Sequence, residues 1–298
     1  MSQELVIAVI AGLGGMMGWG LADFFAKKTI DRIGDVQTLA WAGVFGCVTF
    51  GLAALYQVAV RGGQFSIPND VLTWALLVFF GALQAAVYLF AYNGFGKGQI
   101  ALLTPVFASF SGIVAIISIL FLGEPTNASR ILILIVIFGG IILLNLDVAA
   151  FRSRRISFMH VPGFREVIIA TALAALWTIL WYLFVNGKDW LAYSFYMFIF
   201  MTLAVFAMAK SRRLPMRVGT RQLWLFVVLI GICETVAYLA ITLGYGTTSL
   251  TSVVTVLSGG FSLPTIILAY IFLKERISPV QWAGCLLIVA GTMLLPLV

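Results

Sequence analysis

Charge is what this 298-residue chain has least of: Asp, Glu, Lys and Arg make up 10% of it, against about 25% in an ordinary soluble domain. So few charges cannot build an aqueous surface for a chain this long. Histidine is represented by His160 alone. With no second His or Cys nearby and no HExxH run, metal chemistry has no signature, and His160 reads as a solvated interfacial residue. Cys47, Cys233 and Cys285 are scattered, form no CxxC pair, and read as small apolar packing residues. No GxxxxGK[ST] pattern is present, which argues against direct ATP driving by this chain. The polar connections are too short to hold a soluble catalytic domain.

What the chain does have is apolar length. It is 62% hydrophobic, with a mean hydropathy of +1.10. A spanning helix needs roughly 20 apolar residues, and ten such runs occur, over 5–26, 36–60, 71–94, 99–122, 129–148, 165–186, 190–209, 221–244, 249–273 and 279–297. The runs are continuous and do not alternate, which argues against a β-barrel. The N-terminal "MSQELVIAVIAGLGG" has no basic n-region and carries Glu4 before its apolar run, so it reads as the first span and not as a cleaved signal.

The chain contains one module twice. Residues 74–146 and 224–297 align at an offset of 150, rising to 151: Trp74 meets Trp224, Gly81 meets Gly231, Gln84 meets Glu234, Tyr88 meets Tyr238 and Glu124 meets Glu275. Five spans per half is an odd number, so the halves cross in opposite directions. The expected fold is an all-α membrane protein of ten transmembrane helices, built as two inverted five-helix repeats over 1–148 and 164–298 with a basic linker at 149–163. Fifteen of the eighteen Lys and Arg residues fall in the odd-numbered loops and three in the even-numbered ones. Basic residues near spans stay cytoplasmic, so both termini are expected outside. The net charge of +7 fits anionic lipid headgroups better than nucleic acid, although the "RSRR" of Arg152–Arg155 could touch RNA.

Glu234 is the most informative residue, because no other Asp or Glu lies so deep in a span. A charge there costs about 2.5–3.5 kcal/mol on insertion scales, so the group must be paired, hydrated or protonated. This suits a coupling site or a counter-ion to a cationic substrate; hydrogen-bonded glue between helices is the plainer role. Gln84 holds the equivalent position in span 3, and each is followed four residues later, on the same helical face, by Tyr88 or Tyr238. A pocket wall of these four is expected near mid-membrane, against interfacial anchoring for the tyrosines. Span 4 carries Ser109 and span 9 carries Thr255 and Ser258, candidates to line the same hollow or to pack helices closely. Pro105 and Pro264 are expected to bend these two spans.

In span 1, Gly14 and Gly18 form a GxxxG for close helix contact, Trp19 is a candidate substrate contact, and Asp23 is a candidate gate or the partner of Lys27. In span 6, Trp177 and Trp181 share a face that either mirrors Trp19 or meets lipid. Glu124 and Glu275 are expected to pin the turn into the helix that follows each, with Asn127 and the "SPVQ" of Ser278–Gln281 as caps.

The "ILFLGEP" ending span 4, the "YIFLKER" ending span 9, the "VIFGGIILL" and "IVAGTMLL" of spans 5 and 10 and the "WGLADFFAKK" of span 1 carry a resemblance to the EamA-type transporters of the drug/metabolite transporter superfamily. The resemblance spans the whole chain. It implies transport of small solutes by alternating access, usually export and commonly proton-coupled or exchange-driven. Relatives usually keep both termini in the cytoplasm, opposite to the charge count here.

The expectation is therefore a secondary transporter of amino acids, their derivatives or similar amphipathic metabolites in the cytoplasmic membrane. Spans 3, 4, 8 and 9 would wall the cavity, spans 1 and 6 would gate it, and spans 5 and 10 would serve structure or a homodimer contact. No cofactor and no metal is expected, and the partners are substrate and bilayer. The competing readings are a scaffold or receptor, and an intramembrane enzyme; the second lacks a nucleophile–base pair at depth.

Overall fold

The computed structural model describes residues 2–97, 100–146, 162–274 and 276–297. His160, Arg152–Arg155 and Glu275 lie outside them, as does the side chain of Lys27, the expected partner of Asp23. Twelve α-helices follow in order: α1 Gln3–Ile33, α2 Asp35–Ala59, α3 Val71–Lys97, α4 Ile100–Ala108, α5 Phe110–Phe121, α6 Ala128–Asn145, α7 Phe164–Val185, α8 Trp190–Ser211, α9 Arg221–Thr247, α10 Thr251–Gly259, α11 Ser262–Leu273 and α12 Pro279–Leu294. No strand occurs among the described residues. Taken with α4–α5 and α10–α11 as broken pairs, they make ten helices long and apolar enough to cross a membrane among the described residues.

The ends of these helices depend on capping as well as on apolarity. α1 runs seven residues past the apolar stretch, because Lys28, Asp31 and Arg32 can stay helical in an interface. It stops at Gly34, whose φ of 91° forms the single-residue turn into α2 and would strain any residue with a Cβ. Asn127 caps α6 by accepting from the Arg130 N–H at 2.7 Å. Ser278, Pro279 and Gln281 form the capping box of α12.

Both broken spans have identifiable causes. Pro264 cannot donate to the Gly260 carbonyl, and the chain there tightens into i→i−3 bonds, Gly260 to Leu257 and Leu263 to Gly260. In the first half the break falls at Ser109, one turn beyond Pro105. There the Ser109 hydroxyl donates to the Val106 carbonyl at 2.6 Å and competes with the helical ladder.

The two repeats interleave. α1 packs on α9, α10 and α11; α2 packs on α8 and α9; α3 packs on α7 and α8; α5 packs on α10; and α6 packs on α12. The principal neighbours of each helix belong to the other half of the chain. Gly18 lets α1 approach closely, since a Cβ there would stand 2.7 Å from the Ala237 nitrogen and the Cys233 carbonyl oxygen of α9. The close contact expected from GxxxG is present, and it brings Trp19 beside Glu234.

Candidate functional site

The site is built where α1, α3 and α9 meet. Glu234, at mid-helix, is 7% exposed and points inward. Its Oε2 accepts the Trp19 indole N–H at 3.1 Å and the Tyr88 hydroxyl at 3.0 Å. The Tyr238 hydroxyl donates to Tyr88 at 3.4 Å, and the Gln84 amide donates to Tyr238 at 2.7 Å. Three of these bonds run head to tail from Gln84 through Tyr238 and Tyr88 to the carboxylate, and the Trp19 bond ends on the same oxygen. The symmetry mates do not face one another directly, as mirrored polar groups would. They join crosswise: Gln84 binds the tyrosine of the second repeat and Glu234 the tyrosine of the first.

One buried acceptor is left over: Gln84 Oε1 has no partner among the described residues. Both hydrogen bonds described for Glu234 land on Oε2. An unpaired buried acceptor is costly, on the order of 1–3 kcal/mol.

Aromatic rings close around this pair. Trp19 meets Tyr238 edge-on at 5.7 Å, Phe198 of α8 lies 5.4 Å from Tyr238, and Trp177 of α7 lies 6.1 Å from it. Trp177 and Trp181 are buried and stacked at 5.6 Å, donating to the Phe80 carbonyl and to Thr242. The lipid-facing alternative for these two tryptophans is thereby overturned. Tyr92, one turn beyond Tyr88, extends the same face of α3. The spacing 84, 88, 92 was the signal for it, and so was the Trp177–Trp181 spacing for span 6.

Not every candidate joins the cluster. Thr255 shares a 2.9 Å hydrogen bond with Tyr245, and Ser258 donates to the Thr255 carbonyl at 3.2 Å; both are buried. Ser109 is occupied at the break between α4 and α5. The polar contacts come from spans 1, 3 and 8, with span 4 supplying none of them. Asp23 lies one turn beyond Trp19, partly exposed, and its like charge acts on Glu234.

The surroundings are unequal at the two ends of the site. Toward the odd-numbered loops, Trp19, Asp23, Tyr88 and Tyr92 are partly exposed; toward the even-numbered loops, Tyr238, Trp181 and Tyr245 are buried. Where a hollow is expected beside Glu234, the side chains of Trp19, Tyr88 and Tyr238 crowd together in this conformation. Two cavities of about 470 and 250 Å³ lie elsewhere, one bordered by Lys28, Arg32 and Phe226, the other by Ala85, Leu89 and Arg212. No group of three or more metal-ligating side chains occurs among the described residues.

Comparison with known proteins agrees with this architecture. A solved structure, described only as a crystal structure of a protein, superposes with a TM-score of 0.77 over 97% of this chain and 98% of its own, at 17% sequence identity, a likeness of fold. No curated protein matches the sequence significantly. Residues 6–146 and 165–296 each match the EamA-like transporter family. The inverted doubling, the ten spans and these two matches make the chain a member of the EamA-like transporter family, a membrane transporter of the drug/metabolite transporter superfamily.

Proposed function

We propose that the protein is a secondary transporter that exports small amine-bearing amphipathic metabolites, amino acids or their derivatives, by alternating access, with proton exchange at Glu234 as the coupling step. The observation that carries this is the buried Glu234 carboxyl together with Gln84 Oε1, a buried acceptor without a partner among the described residues, at equivalent positions of two inverted repeats. An ammonium group is the complementary ligand, because it offers several donors and one positive charge. Trp19, Tyr88 and Tyr238 provide aromatic faces and edges, and the faces attract cations. No Lys or Arg lies deep in a span, so a strongly anionic solute has nothing to bind.

The partly exposed approach along Asp23, Tyr92 and Trp19 supports entry from the odd-loop side. The Lys/Arg distribution supports a cytoplasmic side there, with both termini outside the cytoplasmic membrane. Coupling follows from competition: the carboxylate holds either the proton or the substrate ammonium, so each leaves as the other arrives.

The test is flux in proteoliposomes with an imposed pH gradient, using amino acids and biogenic amines as probes. Wild type is expected to move an amine-bearing probe with a rate that follows the gradient. Glu234→Gln is expected to lose at least roughly tenfold of that flux, the equivalent of one pKa unit of interaction. Gradient-driven flux that persists undiminished in a folded Glu234→Gln protein would overturn the assignment.

A further inference from the structure

Glu124 is a second buried acid, and it lies outside the spans, in the connection between α5 and α6. It is 6% exposed. The expected partner was the following helix, α6, but Asn127 already caps that one. Glu124 instead crosses to the other repeat. Its Oε2 accepts the Ser252 backbone N–H at 2.8 Å, and its Oε1 accepts the Ser252 hydroxyl. Ser252 is the second residue of α10, the half-helix that carries Thr255 and Ser258 and lies against α1.

The same end of the molecule is tied by further bonds between even-numbered loops. The Asn186 amide donates to the Tyr245 carbonyl at 3.1 Å, the Gly187 N–H to the Gly246 carbonyl at 3.1 Å, and the Ser66 N–H to Asp189 at 2.8 Å. Of the side-chain contacts named here, only Glu124 with Ser252 buries a carboxyl group.

The register of the duplication adds an asymmetry. At an offset of 151 or 150, Ser252 corresponds to Ala101 or Leu102, neither of which has a hydroxyl. The hydroxyl half of this contact is therefore encoded at one end of the transporter only.

We infer that Glu124 is a positioning residue, a proton-operated latch that holds the start of α10 and keeps the even-loop end closed while its carboxyl is protonated. This deepens the transport reading above and rests on it.

Burial pushes the Glu124 carboxyl up to about 7, against the opposing pull of the Ser252 donors and of Arg130. Arg130, on α6, is the charged group acting on it among the described residues; Glu4, on α1, is turned to Ser249 at 3.1 Å. The sign follows. A carboxyl raised when closed and ordinary when exposed takes up a proton on closing. Closure is fully favoured below about pH 4.5 and weakens as pH rises through about 7. The closed-to-open ratio changes across that window by up to roughly two orders of magnitude. Ser118, whose carbonyl accepts the Glu124 N–H, and Thr251, beside Ser252, carry buried hydroxyls without partners among the described residues. They supply free oxygens on both segments that the latch joins.

The test is a spin-label distance across the contact in the full-length protein. Labels go at Ser129→Cys and Thr247→Cys, both exposed, with Cys47, Cys233 and Cys285 replaced by alanine. Distances are measured in lipid nanodiscs at about pH 5 and about pH 8, either side of the shifted carboxyl. Expected is a single short distance at the lower pH and a second, longer population at the higher one. Glu124→Gln, a neutral mimic of the protonated acid, is expected to keep the short distance at both. Ser252→Ala is expected to enlarge the longer population at both. A distribution that does not change with pH in wild type, or one that still changes in Glu124→Gln, overturns the latch. Because this readout requires no flux, a failure of the transport reading shows separately, as absent flux with a normal pH response in the distances.

Discussion

The two halves of the central site are the same device with different chemistry. Gln84 against Tyr238 and Glu234 against Tyr88 occupy matching positions of the two repeats, cross the same pseudo-axis and differ by one group. An amide cannot change its charge at working pH, whereas a carboxyl can. The neighbours differ as well. Tyr238 is fully buried, whereas Tyr88 is partly exposed and shares its acceptor with the Trp19 indole. Duplication supplied a symmetric frame, and a single acid in one half breaks that symmetry.

The comparison makes its strongest claim about packing, where the halves should behave alike. A Cβ on Gly81 would stand 2.6 Å from the Met201 nitrogen, and one on Gly231 would stand 2.5 Å from the Ala42 carbonyl oxygen. Both obstacles are backbone atoms of a helix from the other repeat. Gly81→Leu and Gly231→Leu are each expected to cost about 3 kcal/mol and to lower Tm in detergent by similar amounts. A large fall in one alone would show that the frames are unequal.

The chemistry, by contrast, should not survive exchange. The double variant Gln84→Glu with Glu234→Gln moves the acid to the other half-site, opposite buried Tyr238 and away from Trp19. It is expected to fold, yet to recover less than about a tenth of wild-type gradient-driven flux, a barrier change of roughly 1.4 kcal/mol. Recovery of full flux would mean that the side holding the acid is immaterial.

The tyrosines sharpen the difference with a smaller effect. Tyr238→Phe leaves the Gln84 amide without its partner in a buried place, a loss of about 1–3 kcal/mol in thermal stability. Tyr88→Phe leaves Glu234 with its Trp19 bond, and the loss is expected nearer 1 kcal/mol. Equal losses would indicate that partial exposure and the indole bond do nothing for the second half-site.

Much of this was legible before any contact was known. The capping residues Asn127 and Ser278 act locally, through atoms three residues apart, and sequence spacing displays such contacts directly. The face shared by Glu234 and Tyr238 was likewise a matter of helical period. Trp19 binding to Glu234 spans 215 residues, and nothing in local spacing encodes it. Glu124 shows the opposite hazard. The nearest helix N-terminus in sequence looked like its partner, but Asn127 had already capped it, and the carboxyl crossed to Ser252 instead. Thr255 and Ser258 looked like cavity lining because they are polar, yet their hydroxyls are spent on Tyr245 and on their own helix.

The order of residues by itself determined the ten crossings, the doubling and the inversion of the second five relative to the first. The bilayer reads each apolar segment separately, and parity then fixes direction. It also singled out the one deep acid, since such a residue stands out in any membrane segment. Only the tertiary structure decided that the repeats interleave, that each polar residue meets the tyrosine of the other half, and that Glu124 reaches across to the start of α10. Those outcomes depend on how each helix is rotated and how closely its neighbours approach, and steric contacts between distant segments set both.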